Sequence, residues 1–411
     1  MHVPPFAEFP TEEYEKRIAA VRALMRERGI EALLLFSDVN LRYLAGVVNA
    51  YWIATMADDV QCLLLPADEE DGCVLMLPDH LCHGAARSSW IADKRAWSQF
   101  GAGKLPGPIA TILEAIREKW LDESRIAMEV GANARLLISP HYFQEIKKAL
   151  PDCEIVDAEE LLARARVRKS DLEIACLRRA AEITCEGMRA GLDAVRENAS
   201  ELDIAQRIVR RWSEVADDFS SHRPFFLFVY SSPLRSQWFD CGPSTYRLRK
   251  GDYCVIDIGF CYKGYWADFF RTACIGDPSA ALRRFHDANM AANVAGIQTI
   301  RPGATGTDVT RAVHESWKRS GLEDELREQL VQHDYDFVGH GIGLTLHDIP
   351  LINSRAEVPL EPGMVVAIEG MLVDHMPFRD TTVAVGTEDN VLVTHAGCEV
   401  LTPVERDLLV R

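Results

Sequence analysis

The pattern of the sequence changes at Ser170, and this change limits the possible folds more than any other feature. Ser170-Asp-Leu-Glu173 matches a capping box, in which the first and fourth side chains each accept a hydrogen bond from the other residue's backbone N–H at the start of a helix. The apolar residues that follow, up to Met188, recur at helical spacing and indicate a packed face. We therefore predict a long helix that opens the second of two domains, with the first at 1–160 and the second at 161–411.

The first part of the chain alternates helical and strand-like segments. Apolar side chains at helical spacing from Tyr14 to Met25 predict a helix that ends at Gly29, a residue suited to a helix C-terminus. Short apolar runs predict strands at 32–36, 62–65, 73–77 and 125–128. This alternation favours a smaller α/β domain.

The part after Ser170 is richer in strands. Strand-like segments occupy residues 224–230, 253–260, 265–275, 365–368 and 390–394. They bracket two further helical stretches, around 281–300 and 306–320. The pattern predicts an α+β fold class.

Composition and charge argue against several kinds of partner. The 411 residues are 48% hydrophobic and 26% charged, as in an ordinary soluble protein that can bury a sizeable core. A formal net charge of -17 opposes binding to nucleic acid or to an anionic membrane, and no basic patch offsets it. Residues 1–10 lack the basic and apolar regions of a secretory signal, and no apolar run is long enough to span a membrane. We therefore expect a cytoplasmic protein with no nucleic-acid or membrane partner.

The 11 cysteines are odd in number and scattered through the chain, without a Cys-x-x-Cys pair. In a chain of this length, that pattern favours free thiols over a disulfide framework. It also gives no support to a zinc ribbon or a redox motif.

Two carboxylates stand in apolar strand segments separated by a turn that contains Lys263-Gly264. If the turn is centred between Tyr262 and Lys263, Asp257 and Asp268 are direct cross-strand partners with Cβ atoms roughly 5 Å apart. Two buried carboxylates at that distance repel each other, and a divalent cation is the usual remedy. The spacing alone leaves open a pair of solvent-facing aspartates.

A glycine-rich segment, residues 339–350, contains two histidines. The glycines beside His340 allow close backbone approach and can expose its imidazole in a pocket. His347 lies too far along a non-helical segment to be assumed a neighbour of His340. Taken alone, the segment is a weak motif, and a glycine-rich turn that happens to contain a histidine is the more frequent case.

Two more acids border strand-like segments in the last part of the chain. Glu369 ends a strand that follows a Pro-Gly turn, and Glu388 precedes the next apolar strand. Each acid by itself is typical of a solvated strand edge. With the earlier clusters, however, they give four carboxylates and one imidazole, a set suited to two divalent ions of manganese, iron, cobalt or zinc.

The order Asp, Asp, His, Glu, Glu resembles the pita-bread metallopeptidase superfamily, which includes methionine aminopeptidase, Xaa-Pro aminopeptidase, prolidase and creatinase. Residues 39–46 look like part of the creatinase-type N-terminal domain, and residues 167–174 look like the start of the catalytic domain. Residues 301–308 are also similar to a segment of the family. The resemblance implies a pita-bread catalytic domain preceded by a smaller α/β creatinase-type domain.

The resemblance also implies how two metal ions would be held. Asp257 and Glu388 would bridge or chelate both ions, and Asp268 would complete one site. His340 and Glu369 would complete the other.

Other residues receive roles from the same resemblance. Glu369 would accept a proton from a metal-bound water, while His347 would contact the substrate or the tetrahedral intermediate. Asp380, after Arg379, competes with Glu388 for the last ligand position, but the sequence after Glu388 fits the family's closing pattern better. Arg379 remains a candidate substrate-binding residue.

Residues 237–243, Gln-Trp-Phe-Asp-Cys-Gly-Pro, depart from the pattern of family peptidases, which place a histidine shortly before the proline. Here Asp240 or Cys241 stands in its place, and we predict that both contact the substrate together with Trp238. This segment resembles dimethylsulfoniopropionate lyases, although Val255 stands where those enzymes have an additional acid. Creatinase is a poorer match because it has lost the metal ligands.

The resemblance therefore implies a dinuclear-metal hydrolase, and a homodimer, that cleaves a peptide or amide C–N bond by attack of a metal-bound water. The substrate would be a small molecule or a short peptide of the Xaa-Pro type. The missing histidine predicts weak activity on ordinary Xaa-Pro dipeptides. The alternatives are a dimethylsulfoniopropionate lyase or cyclic amide hydrolase acting on a small zwitterion, and a metal-free binding protein, which the complete ligand set disfavours.

Overall fold

The computed structural model describes residues 4–48, 60–98, 105–132, 134, 136–220, 223–232, 242–332, 336–372 and 385–411. The chain divides into two compact units. Unit 1 contains residues 1–166 and 220–222, and unit 2 contains residues 167–219 and 223–411. The predicted boundary at 160/161 falls inside a helix, Glu159–Arg166, and stays a prediction.

Unit 1 contains six α-helices, a short 3-10 helix at Asp79–Leu81 and six strands in its described residues. The α-helices and strands are α1 (Thr11–Glu27), β1 (Ala32–Leu35), α2 (Asp38–Asn40, continued by a π-helical turn at Leu41–Ala45), β2 (Cys62–Pro66), β3 (Val74–Pro78), α3 (Cys82–Ser88), β4 (Asp93–Trp97), α4 (Pro108–Glu118), β5 (Arg125–Met128), α5 (Pro140–Ala149), β6 (Glu154–Asp157) and α6 (Glu159–Arg166).

The strands of unit 1 form one sheet in the order β4-β3-β2-β1-β5-β6. β1 pairs antiparallel with β2 and parallel with β5, so the sheet is mixed. Leu34, Met76 and Met128 contribute to a core that also takes Ile112 and Ile116 from α4. The α/β architecture agrees with the alternation of the sequence.

Unit 2 begins with two helices and continues with strands and helices. The elements are α7 (Asp171–Ala194), α8 (Glu201–Val215), β7 (Phe225–Ser231), β8 (Tyr253–Tyr262), β9 (Tyr265–Trp266), β10 (Phe269–Cys274), α9 (Ala280–Thr299), α10 (Gly306–Arg319), α11 (Glu323–Gln332), β11 (Gly339–Gly341), β12 (Asp348–Ile352), β13 (Val365–Ile368), β14 (Asp389–Thr394), β15 (Gly397–Val400) and β16 (Leu409–Val410).

The strands of unit 2 form two sheets. The first has the order β16-β10-β8-β7, with β9 paired to β8, and the second has the order β12-β11-β13-β14-β15. Helices α7 and α8 cover the first sheet through a core that contains Ile183, Ile208 and Trp212. Helices α9 and α10 pack on the second sheet, where Val309 and Val366 are fully buried.

Helix α7 begins as the sequence predicts. Ser170 Oγ accepts a hydrogen bond from Glu173 N, and the Glu173 carboxylate accepts one from Ser170 N. Glycine at 187 lets α8 pack closely, because a Cβ there would lie 2.2 Å from Trp212 Nε1. No prediction covered helix α8 or the short strands β11 and β12, although Ser200 and Asp203 form a capping box at the start of α8.

Every cysteine among the described residues is a free thiol, as predicted. No helix formed by the described residues combines the length and the apolar character needed to cross a membrane.

Candidate active site

Asp257 and Asp268 lie on the hairpin formed by β8, β9 and β10, but they are not direct partners. The two-residue turn consists of Lys263 and Gly264, both with positive φ, so the hairpin is centred one residue later than predicted. Asp257 faces Phe270, and Asp268 lies diagonally across the ladder. The predicted direct pairing is therefore wrong, although a diagonal pair still brings the carboxylates together.

His340 lies on β11, between β12 and β13, and is fully buried. A Cβ on Gly339 would lie 2.2 Å from Ala367 O, and a Cβ on Gly341 would lie 2.1 Å from Ile349 O. Glycine is therefore required on both sides of His340, where the neighbouring strands approach closely. His340 Nδ1 lies 2.8 Å from Gly341 O, so Nδ1 carries the proton and Nε2 faces the acids.

Glu369 and Glu388 lie side by side at one end of the second sheet. β13 ends at Ile368 and β14 begins at Asp389, and these two residues are register partners. The acid after the first strand and the acid before the second are therefore neighbours. This placement follows from antiparallel pairing of β13 with β14, which single strand patterns do not specify.

The five predicted residues converge on one place. His340 Nε2 lies 3.1 Å from Glu369 Oε1, 3.7 Å from Asp268 Oδ2 and 4.0 Å from Glu388 Oε1. Ligand-type atoms of Asp257, Asp268 and Glu388 all lie within 4.8 Å of one another, as do those of His340, Glu369 and Glu388. These two groups share Glu388, and a third group of the same kind joins Asp268 and His340 to the exposed His347.

Several polar atoms of this cluster have no hydrogen-bond partner although they are buried. They are Asp257 Oδ1, His340 Nε2 and Glu388 Oε1. Glu369 is close to His340 Nε2, but the two do not have hydrogen-bond geometry. Unpaired buried polar atoms are costly, and all three are of the types that coordinate metal ions.

The raised pKa values of the acids also indicate that the cluster requires a positive charge. Desolvation, with a smaller contribution from Glu369, raises the pKa of Asp257 to about 7. Desolvation and the nearby acids also raise the pKa values of Asp268 and Glu388 well above their ordinary values. A bound dication would reverse this penalty, so the residues present fit a divalent metal.

His347 lies beside His340 even though seven positions separate them. β11 and β12 pair with Gly341 opposite Asp348, and this hairpin returns the chain so that the two imidazole centroids are 4.2 Å apart. The His347 side chain is exposed, unlike that of His340. Desolvation, and then the proximity of His340, lower the pKa of His347 despite an opposing effect of Glu369.

Comparison with known proteins identifies the family. The family model described as "Metallopeptidase family M24" matches residues 175–395, which is more than half of the chain. The chain belongs to metallopeptidase family M24. Residues 17–168 match the creatinase/prolidase N-terminal domain. The M24 chain therefore has a creatinase-type domain followed by a pita-bread catalytic domain, and it is a metal-dependent hydrolase.

Relatives of this M24 chain are similar over most of its length. An uncharacterized peptidase, YqhT, from Bacillus subtilis is 25% identical over 396 residues, covering 96% of this chain and 99% of the relative. An Xaa-Pro dipeptidase from Pyrococcus furiosus is 28% identical over 257 residues, covering 62% and 69%. The crystal structure of dipeptidase PepE from Mycobacterium ulcerans matches with a TM-score of 0.76 and 26% identity, covering 98% and 99%.

The M24 site also contains a buried ion pair that sequence patterns did not single out. Arg271 Nη2 donates to Asp389 Oδ1 at 2.7 Å, while Arg271 Nη1 donates to the backbone oxygen of Glu388 at 2.5 Å. Asp389 also accepts hydrogen bonds from Thr402 and Arg406. The signal in the sequence is a single arginine within the apolar run of β10, since such a charge needs a buried partner.

Four residues predicted to bind substrate lie outside the residues that the structure describes. They are Trp238, Asp240, Cys241 and Arg379. Their contacts with substrate stay predictions.

Proposed function

We propose that this M24 hydrolase uses two divalent ions to cleave the C–N bond of a short peptide or small amide of the Xaa-Pro type. The observation that carries the proposal is the pair of three-residue groups that share Glu388. Two adjacent groups of this kind are suited to two neighbouring cations, and four carboxylates nearly neutralise their charge. Manganese, iron, cobalt and zinc all suit such a donor set.

The distances favour a particular division of ligands. Asp257 would bind one ion, while His340 and Glu369 would bind the other. Glu388 and Asp268 would contact both ions, because each lies 4.0 Å or less from His340 Nε2 and within the group that contains Asp257. Asp268 thus takes the shared role that the resemblance assigned to Asp257.

The bound ions would supply Lewis acidity and lower the pKa of water. Glu369, which is partly exposed, is suited to accept a proton from the attacking water and to return it to the leaving nitrogen. His347, exposed beside His340, is suited to donate a hydrogen bond to the oxyanion that develops on the substrate. The neighbouring Asp268 and Glu388 are buried and would hold charge without exchanging protons with solvent.

The substrate class rests on the relatives. The Pyrococcus furiosus relative is an Xaa-Pro dipeptidase, and the Mycobacterium ulcerans structure is a dipeptidase. A short peptide with proline after the scissile bond is therefore the proposed substrate class, although the missing histidine in residues 237–243 predicts weak turnover of ordinary Xaa-Pro dipeptides. A lyase or cyclic amide hydrolase acting on a small zwitterion remains the alternative, and it rests on residues 237–243.

A metal and substrate panel tests the proposal. The protein is stripped with a chelator, reloaded with Mn²⁺ and assayed on Xaa-Pro dipeptides, the matching Xaa-Ala dipeptides, small cyclic amides and dimethylsulfoniopropionate. We expect about two ions per chain by elemental analysis, and C–N cleavage that is lost on stripping and restored by metal. Full activity without metal would rule out the mechanism, and turnover of dimethylsulfoniopropionate alone would assign the protein to the lyases.

A further inference from the structure

The two sheets of unit 2 each supply part of the active site. Asp257 lies on β8 of the first sheet, and Asp268 lies directly before β10 of the same sheet. His340 lies on β11 of the second sheet, Glu369 directly follows β13 and Glu388 directly precedes β14. The positions of the acids relative to one another therefore depend on how the sheets are joined beside the site.

Residues 268–272 and 386–390 join the sheets, and we call this contact the seam. In its middle, Glu388 N donates to Phe270 O at 3.2 Å. At one end, Thr272 Oγ1 donates to Gly386 O at 3.0 Å and accepts from Gly386 N at 3.3 Å. From the Phe270–Glu388 contact to the Thr272–Gly386 contact, the residue number rises by two in one segment and falls by two in the other. Two antiparallel strands pair in the same way.

At the other end of the seam, the side-chain amide of Asn390 makes the hydrogen bonds that the backbone of a paired strand would make. Asp268 lies between β9 and β10, and its N–H donates to Asn390 Oδ1 at 2.9 Å. Asn390 Nδ2 in turn donates to Asp268 O at 2.6 Å. The amide thus exchanges two hydrogen bonds with one residue, as a paired backbone residue does.

Asn390 is itself held firmly. Its backbone is part of β14, opposite Ala367 of β13, and its N–H donates to Thr402 Oγ1 at 3.1 Å. Both Asn390 and Asp268 are buried, with exposed fractions of 2% and 5%. Breaking the exchange would leave buried polar groups without partners, which is costly.

We propose that Asn390 is a positioning residue that sets the place of Asp268 relative to Glu388, and so the spacing of the acids that hold the metal ions. Asn390 does not touch the metal or the substrate in this role. It acts through the backbone of Asp268, two residues along the seam from the Phe270–Glu388 contact. This inference rests on the proposed metal site.

Cobalt binding by stripped protein tests the inference without an activity assay. Asn390→Leu has nearly the same size but removes both hydrogen bonds to Asp268, and Asn390→Ser is a milder second variant should the first fail to fold. We expect either variant to weaken Co²⁺ binding by about 10- to 100-fold, the range for residues that orient metal ligands. The visible absorption of bound Co²⁺ should also change, because it reports the arrangement of ligands.

Thr272→Val is the matched control. It removes the side-chain hydrogen bonds at the opposite end of the same seam, where Gly386 rather than a metal-binding acid is the partner. It should lower the thermal midpoint of unfolding yet keep the wild-type Co²⁺ affinity and spectrum.

The outcomes separate this inference from the proposed function. Wild-type Co²⁺ affinity and spectrum in the Asn390 variants would overturn the inference alone. Equal loss of affinity in Thr272→Val would also overturn it, because the seam as a whole rather than Asn390 would then be responsible. A wild-type protein that binds no Co²⁺ would overturn the proposed function, and this inference with it.

Discussion

At the scale of single residues, the two histidines of the site differ in what surrounds them. His340 is buried, donates from Nδ1 to a backbone carbonyl and directs Nε2 toward three acids. His347 is exposed, and its ring stands nearly perpendicular to that of His340, with the ring centroids 4.2 Å apart. The first environment suits a metal ligand, and the second suits a group that contacts substrate.

Substitution of each histidine by alanine should separate these roles. We expect His340→Ala to lose metal and activity together, because it removes one of the ligands. His347→Ala should keep its metal but lower kcat by roughly 10²-fold, the scale of a lost oxyanion contact. Elemental analysis and steady-state kinetics on the same samples give the comparison. Loss of metal from His347→Ala as readily as from His340→Ala would contradict the assignment.

At the scale of secondary-structure elements, the helices that support the site contain buried polar groups of their own. Helix α9 contributes Asn289, whose amide nitrogen donates to Leu372 O and Val385 O at 2.8 Å each. These residues lie three positions after Glu369 and three positions before Glu388. The helix thus ties together the two chain segments that lead away from the acids at the end of the second sheet.

The same helix should make the protein sensitive to acid. His286 is fully buried, its Nδ1 lies 3.5 Å from Asp287 Oδ1 without good hydrogen-bond geometry, and desolvation lowers its pKa. Asp287 and Asp407 favour the protonated ring and Arg283 opposes it, but these effects are smaller than that of burial. At His286 the unfolded chain therefore binds a proton more readily than the folded one, so the contribution of this residue to the free energy of unfolding should fall as the pH drops below about 6.5.

The acid sensitivity can be measured by urea unfolding between pH 7 and pH 5. Compared with the wild type, His286→Leu should lose less stability or gain more over this range, because the substituted residue cannot take up a proton. His395→Leu, at an exposed position in the turn between β14 and β15, is the control and should leave the pH dependence as in the wild type. An unchanged slope in His286→Leu would show that other groups cause the acid sensitivity.

At the scale of the whole molecule, the active site lowers the free energy of unfolding as long as no metal is bound. Four acids meet within a few ångströms, and burial with mutual repulsion raises the pKa values of Asp257, Asp268 and Glu388. Folding without metal brings these charges together. Metal binding to the folded state alone would add stability by mass action.

Asp268→Asn should therefore stabilise the metal-free protein and abolish its response to metal. The amide has almost the same shape but lacks the buried charge, so we expect a gain of about 1 to 3 kcal/mol in unfolding free energy at pH 8. Thermal and urea unfolding with chelator, and then with excess Mn²⁺, provide the measurement. Asp217→Asn, in an ion pair whose acid is 60% exposed, is the control and should change stability by about 1 kcal/mol or less. A metal-free Asp268→Asn protein less stable than the wild type would contradict this account.

The sequence by itself determined the fold class, most element types and the identities of the residues that form the cluster. The capping box at Ser170 fixes the start of α7, because its hydrogen bonds join residues only three positions apart. The strand Val365–Ile368 was also predicted with its bounds. A short apolar run between a Pro-Gly turn and an acid can be recognised as a strand from the preferences of neighbouring residues alone. The homodimer, the metal identity and the contacts of residues 237–243 stay predictions.

Only the tertiary structure decided how the residues of the site meet. The register of the β8–β10 hairpin depends on positive φ angles at both Lys263 and Gly264, and one residue of difference turns a direct Asp257–Asp268 pair into a diagonal one. The approach of His347 to His340 depends on pairing between β11 and β12, and the link between Asp268 and Asn390 joins residues 122 positions apart. Such contacts form when segments that are distant in the sequence pack together. The periodicity of one segment does not show which other segment it will pack against.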